Sequence, residues 1–362
     1  MTNLSALGLN TKVRATIAGQ RLINQRLVGS GCRNPAEVVA HMGAIQGQDY
    51  DGGIWSIGLR LPGSRKADVE KAIADRTVIR TWAMRGTLHF VEAGNVRRTL
   101  ELLSKGIIAR TSAIYCRLGL DSKTLTRCEN ILTKALEGGQ QLTRGELVSI
   151  LEGRGVRCHG MRATFILHRA SIDRLICFGV KREKQFTHAL FDEWVKKTRP
   201  LSSEESLSKL TLQYFASHGP ATVQDFMWWS GLSVGQVRSG IEMVKSNLGV
   251  IEYDGAKYWM TAGGGPEGTS RQGVLLLPGF DDFLLGYKDR SASLDPKYSR
   301  RLANGGVLKP AIVMDGNVIG TWRRTITKGK TTIQTHTFSP LDRRQKEALA
   351  AAEEQYIRFI GQ

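Results

Sequence analysis

Two glutamines one residue apart, Gln46 and Gln48 in the run Ala44-Ile45-Gln46-Gly47-Gln48-Asp49-Tyr50, have the types and spacing in this chain best suited to chemistry. A side-chain amide offers two donor hydrogens and two acceptor lone pairs and has no useful pKa. In an extended segment residues i and i+2 point the same way, so the pair can hold a water or a polar edge without ionising. Asp49 stands beside them as a carboxylate. A solvated surface turn would carry the same spacing, so the surrounding elements decide its meaning.

Other chemistry-bearing residues follow. Arg80 and Arg85 are candidate phosphate contacts through their planar guanidinium forks, and His89 could orient a water or a phosphate. Trp82 and Trp322 suit either a core or a stacking platform for nucleic acid. Asp281 and Asp282 find no further ligand at metal spacing and read as partners of nearby basic residues such as Arg290. His159 and His168 form no metal-spaced set either, and neither a metal nor an organic cofactor is expected.

Asn34-Pro35-Ala36-Glu37 has the form of a helix start, with Asn as cap, Pro at the first helical position and Glu closing a capping box. Val38, Val39 and Met42 give that helix an apolar face, and Gly43 ends it. Lys12 to Val28 carries an earlier helical stripe, Ala67 to Asp75 a later one, and Trp55 to Leu61 is ambiguous. Ile79 to Val91, β-branched and aromatic around an Arg-Gly turn, reads as a hairpin. Helices followed by a hairpin is the order of a winged helix.

The order recurs. Asp121 to Leu136, a capping box at Thr143-Arg144-Gly145-Glu146, and His159 to Leu175 bearing Arg162 and Arg169 precede a wing at Ile176 to Thr187. Glu204 to Ser217, the box Thr222 to Asp225, and Ser233 to Val244 precede a hairpin at Val250 to Met260 with Asp254-Gly255 at its tip. Gly263 to Pro266 and Thr269 to Gln272 form a linker. Strand-like segments follow at Val274 to Pro278, Ala311 to Met314 and Asn317 to Trp322, with Asp315-Gly316 as a turn. After Ser339-Pro340, Leu341 to Ile360 is a closing helix. The expected fold is α+β: winged helices over 1–115, 116–200 and 201–268, then a β-barrel-like domain with a terminal helix over 269–362.

Fifty-one Lys and Arg against thirty-three Asp and Glu leave a net charge of +18, which calls for a polyanionic partner. The excess is concentrated from Arg154 to Lys184, where eight basic residues face only Asp173 and Glu183. Five scattered cysteines with no C-x-x-C pair suit free thiols in a reducing compartment. With no apolar run of membrane-spanning length, a monomeric cytoplasmic protein is expected.

Gln46-Gly47-Gln48, Arg80-Thr81-Trp82 with Arg85 to His89, Leu277 to Asp281 through Gly286 to Arg290, and Gly320-Thr321-Trp322-Arg323 together resemble the AlkZ and YcaQ winged-helix DNA glycosylases. The resemblance spans nearly the whole chain, and Gln-x-Gln is similar to the AlkZ branch. It implies a concave DNA-binding shape, duplex DNA carrying alkylated purines as partner, and removal of bulky or cross-linked N-alkylpurines, with Trp322 and Arg323 added to the DNA-binding candidates. The middle motif residue is usually hydrophobic in this family and here is Gly47.

Neutral catalytic groups agree with that chemistry. Alkylation at N7 makes the purine cationic and a good leaving group, so what remains is to place a water against C1′ of the sugar. Gln46 and Gln48 can hold the water, and Asp49 is a candidate for charge stabilisation or proton uptake. No lysine lies beside the glutamines in sequence, so a Schiff-base lyase step is not expected. The competing reading is a DNA-binding regulator without catalysis, which has no use for Gln46 and Gln48 outside a recognition helix.

Overall fold

The structure, a computed structural model, describes residues 11–29, 31–253, 255–263, 273–304 and 306–361. Its first unit runs α1 (Thr11–Asn24), α2 (Pro35–Met42), β1 (Ile45–Gln46), α3 (Tyr50–Leu59), α4 (Lys66–Ala74), β2 (Val78–Trp82) and β3 (Leu88–Glu92). The Asn34 side chain accepts the Glu37 N–H at 2.9 Å, starting α2 as expected, while the Glu37 carboxylate accepts the N–H of Arg33 rather than that of Asn34. Val38, Val39 and Met42 are buried. Gly43 stops α2 at φ 82°, in a region that side chains disfavour. The chain leaves that turn extended, and β1 pairs with β3 in a sheet ordered β1-β3-β2, Gln46 lying opposite His89.

A second unit repeats this plan. α5 (Ala93–Arg117) leads to α6 (Ser122–Leu136), β4 (Leu142–Thr143), α7 (Arg144–Gly153), α8 (Arg162–Ile172), β5 (Ile176–Arg182), β6 (Gln185–Leu190) and the single turn α9 (Phe191–Trp194). Its sheet, β4-β6-β5, has the same order as the first. The 25-residue α5 is not anticipated from the sequence, although Val96, Leu100, Leu103 and Ile107 are buried at spacings of a helical face. Its N-cap is Glu92, outside the usual capping residues.

The third unit has α10 (Ser203–His218), α11 (Val223–Ser230), α12 (Val234–Met243) and the hairpin β7 (Leu248–Tyr253) and β8 (Ala256–Thr261). Capping boxes open α7, α10, α11 and α12 from Thr143, Ser202, Thr222 and Ser233. Asp254 and the linker residues from Gly264 to Gln272 lie outside the described residues.

The C-terminal region comprises β9 (Val274–Leu277), α13 (Asp282–Leu285), α14 (Ser299–Leu302), β10 (Ala303–Asn304), β11 (Val307–Leu308), β12 (Ala311–Met314), β13 (Asn317–Thr327), β14 (Lys330–Thr337) and α15 (Arg343–Phe359). The expected barrel is corrected here: among the described residues the strands form an open four-stranded antiparallel sheet, β14-β13-β12-β9, beside a separate β10–β11 pair. Closure is not needed to bury its apolar face, because α15 and α3 cover it. Tyr356 and Phe359 pack on Trp55 at ring distances of 5.0 and 4.8 Å, and Tyr356 also meets Trp322. One apolar core runs from Leu22 through Trp55 and Phe90 to Leu277, Ile312 and Phe359, so this sheet and the first unit share their interior.

The sharing is sealed by charge. Arg60 is bidentate to Asp281 at 2.9 Å per bond, and both side chains are fully buried. Ser56 Oγ donates to the same carboxylate at 2.6 Å, and Arg60 donates to Gln25 Oε1 at 2.8 Å. Asp282 accepts from Trp229 Nε1 at 3.2 Å. Arg290, the expected partner of this acidic pair, instead donates to the Leu284 carbonyl at 2.7 Å. No helix among the described residues is long and apolar enough to cross a membrane.

Candidate active site

Gln46 and Gln48 are not equivalent. Gln46 ends β1 and is 8 % exposed; Gln48, two residues past the strand end, is exposed. The Gln46 side chain folds over Gly47, and its Oε1 accepts the Gln48 N–H at 2.7 Å. That bond uses one lone pair and leaves the second, with both amide hydrogens, available. Gly47 N–H donates to the Leu88 carbonyl at 2.8 Å, which continues the ladder to β3 for one more residue.

Three features hold this turn close to its neighbours. Arg80 donates through Nε and Nη2 to the Gly47 carbonyl at 3.1 and 3.0 Å, gripping the middle of the motif from β2. Phe90 lies beneath Gly47, where an added Cβ would approach its ring to 3.2 Å; the ring therefore occupies the room that a hydrophobic middle residue would need. Gly52 and Gly53 open α3 against the motif, since a Cβ at Gly53 would fall 2.5 Å from the Gln46 carbonyl oxygen. Asp49 caps α3 by position only: it is exposed and its side chain makes no capping hydrogen bond.

His89 faces the same side of the sheet as Gln46, as directly paired residues do. It is 2 % exposed, and burial pushes its pKa down to about 4. The ring is thus neutral near pH 7. Nδ1 lies 3.0 Å from the Thr87 carbonyl, so Nδ1 carries the proton and Nε2 keeps a lone pair.

Of the remaining candidates, Arg80 alone is gathered at this point. Arg80 is 4 % exposed and committed to Gly47. Arg85, at φ 56°, donates to the Trp228 and Trp229 carbonyls at 2.8 and 2.6 Å near the C-terminus of α11. Arg162 and Arg169 lie on α8, Arg162 bonded to the carbonyls of Leu118 and Arg157 and Arg169 paired with Asp173. Trp322 is buried, its indole donating to the Leu277 carbonyl at 2.7 Å, while Arg323 beside it is exposed and meets Gln334 at 2.6 Å. Among the described residues no three His, Cys, Asp or Glu side chains converge as metal ligands.

Sequence reasoning missed what the second unit brings. The β5–β6 hairpin places Phe186 4.9 Å from Tyr50, the residue after Asp49, and sets Phe178 and Phe186 under Arg80 at 4.6 and 4.2 Å. Lys181 from the same hairpin stands 4.2 Å over the Tyr50 ring. The absence of a nearby lysine therefore holds along the sequence and not in space. Only the aromatic residue directly after the motif could have signalled this wall.

The chain matches the family described as "DNA glycosylase AlkZ-like" over residues 39–359. It is 26% identical to the "Interstrand DNA cross-link repair glycosylase" of Streptomyces sahachiroi, over 79% of this chain and 81% of that protein. The solved structure titled "Streptomyces sahachiroi DNA glycosylase AlkZ" is similar in fold, with a TM-score of 0.78, 22% identity and 96% of each chain covered.

Proposed function

The chain belongs to the AlkZ-like DNA glycosylase family, and on that premise we propose that it hydrolyses the N-glycosidic bond of bulky N7-alkylguanine and related N-alkylpurine adducts in duplex DNA, acting as a monomer and leaving an abasic site. The observation that carries this reading is the unequal glutamine pair: a half-satisfied Gln46 held in place by the Gln48 backbone, with the Gln48 amide exposed beside it. Gln46 uses its spare lone pair to orient a water, and Gln48 supplies the second contact. The C1′–N9 bond breaks with its electron pair going to the cationic purine, which leaves neutral. Water adds to C1′ and gives up a proton. An amide cannot take that proton, so Asp49, with an exposed carboxylate that makes no capping hydrogen bond, receives it.

The three helix-plus-hairpin units act as winged-helix modules along the duplex. Arg323, which is exposed, contacts phosphates, and the half-buried Arg162 and Arg169 do so by exchanging their present protein partners for the DNA backbone. Arg80 and His89 support the motif from inside, whereas Arg85 and Trp322 are spent on backbone carbonyls elsewhere in the fold. The named activity of the Streptomyces relative extends the proposal to interstrand cross-links joined through such adducts.

The test is incubation with duplexes carrying 7-methylguanine, a bulky N7-guanine adduct or an N7-linked cross-link, followed by alkaline cleavage at abasic sites. Cleavage at the adduct position is expected. Binding without base release from any of them would support a non-catalytic DNA-binding protein.

A further inference from the structure

A glycosylase that relies on neutral amides still has to tell a cationic purine from an ordinary one. The negative face of an aromatic ring can make that distinction, because its quadrupole attracts a cation by about 0.5–2 kcal/mol. An aromatic ring follows the motif at Tyr50, and two cations already sit on it: the Arg80 guanidinium at 5.6 Å and the Lys181 ammonium at 4.2 Å. They differ in kind. Arg80 is buried and fixed by two bonds to Gly47. Lys181 is exposed, and among the described residues its ammonium makes no ion pair or hydrogen bond; it rests only on Tyr50 and, at 5.2 Å, on Phe186.

We propose that the Tyr50 and Phe186 rings form the recognition face for the positively charged base of an N-alkylpurine, and that Lys181 occupies this face in the free protein and gives it up when the base enters. The inference rests on the glycosylase reading above. A lesion base must leave the stack to reach the site. As it arrives, the lysine swings on its flexible stem towards the DNA backbone, where its charge pairs with a phosphate. An uncharged purine of the same shape cannot repay the lost lysine–ring contact, so the exchange selects for charge.

The experiment compares affinities for two duplexes, one with 2′-fluoro-7-methylguanine, which is cationic and resists hydrolysis, and one with 7-methyl-7-deazaguanine, its uncharged isostere. The ratio of the two affinities cancels contacts with the backbone. Tyr50→Leu should lower that ratio about five- to tenfold, a loss of ~1–1.4 kcal/mol, and Tyr50→Phe, which keeps the ring, should hold it within about twofold. Lys181→Met, on the exposed hairpin, should lower it about threefold, because an uncharged purine can then settle on the rings without displacing a lysine. A ratio unchanged in Lys181→Met, or unchanged in a folded Tyr50→Leu, overturns the proposal. If the wild type releases 7-methylguanine while the ratio stays flat in all variants, only this inference fails. If it neither releases the base nor prefers the cationic duplex, the glycosylase reading fails with it.

Discussion

The two ends of α3 carry polar groups under opposite terms. At its C-terminal end Arg60 and Asp281 are fully buried and bond each other, with Ser56 and Gln25 as further partners and only the Arg60 Nε left without one. Burial pushes the Asp281 carboxyl up, and the Arg60 guanidinium with the Ser56 and Phe283 hydrogen bonds more than offsets this, holding it below its ordinary value. At the N-terminal end Gln46 is half satisfied, while Gln48 and Asp49 are exposed. One end spends its polar groups on joining the first unit to the C-terminal sheet; the other keeps capacity for a substrate. A ten-residue helix thus ties the site to a fully buried ion pair.

Breaking the sealed end should have the largest effect. Arg60→Met leaves Asp281 buried and unpaired and should cost about 3–5 kcal/mol in urea unfolding, while Arg60→Met with Asp281→Leu should recover most of it. Base release per folded molecule should change little. Loss of release without loss of stability would erase the contrast between the two ends.

Acid should act next. Burial lowers His89, His168 and His188 to about 4, against an unfolded value of about 6.5. Between those limits the unfolded chain binds more protons, so the stabilisation is complete above pH ~6.5 and is lost as pH falls through ~4. Each histidine should contribute on the order of 1–3 kcal/mol to that loss. Urea midpoints flat across this range would contradict the burial.

Arg80→Met tests the grip on the open end. Freeing the Gly47 carbonyl should cost about 1–2 kcal/mol of stability and slow base release ~10–100-fold by loosening the turn. Single-turnover rates beside thermal melts separate the two. The smallest effect is expected from Gly47→Ala, whose Cβ meets the Phe90 ring at 3.2 Å and needs only a slight shift of it. Release within about threefold of wild type is expected.

The contrast was only partly legible in the sequence. Caps at Asn34, Thr143 and Thr222 stated where helices begin, and Asp315-Gly316, at φ 48° and 80°, fixed a hairpin turn. β14 escaped because Lys330 to Thr337 is mostly polar and shows no apolar alternation, and the barrel expectation failed because covering by a distant helix leaves no periodic trace. Gln46 and Gln48 stood out by spacing, yet their inequality depends on a strand that ends between them. Arg80 read as a phosphate contact because a guanidinium looks the same in sequence whether it meets a phosphate or a carbonyl. The Arg60–Asp281 pair spans 221 positions, and no local pattern joins them.

The central claim is tested most directly by single-turnover release of 7-methylguanine from duplex DNA by Gln46→Ala, Gln48→Ala and the double variant, with duplex affinity measured in parallel. Each single change should slow release by roughly 10- to 1,000-fold, the double by less than the product, because either loss already frees the water. Affinity should stay within about twofold, since phosphates dominate it. Equal release by the wild type and the double variant would contradict the account.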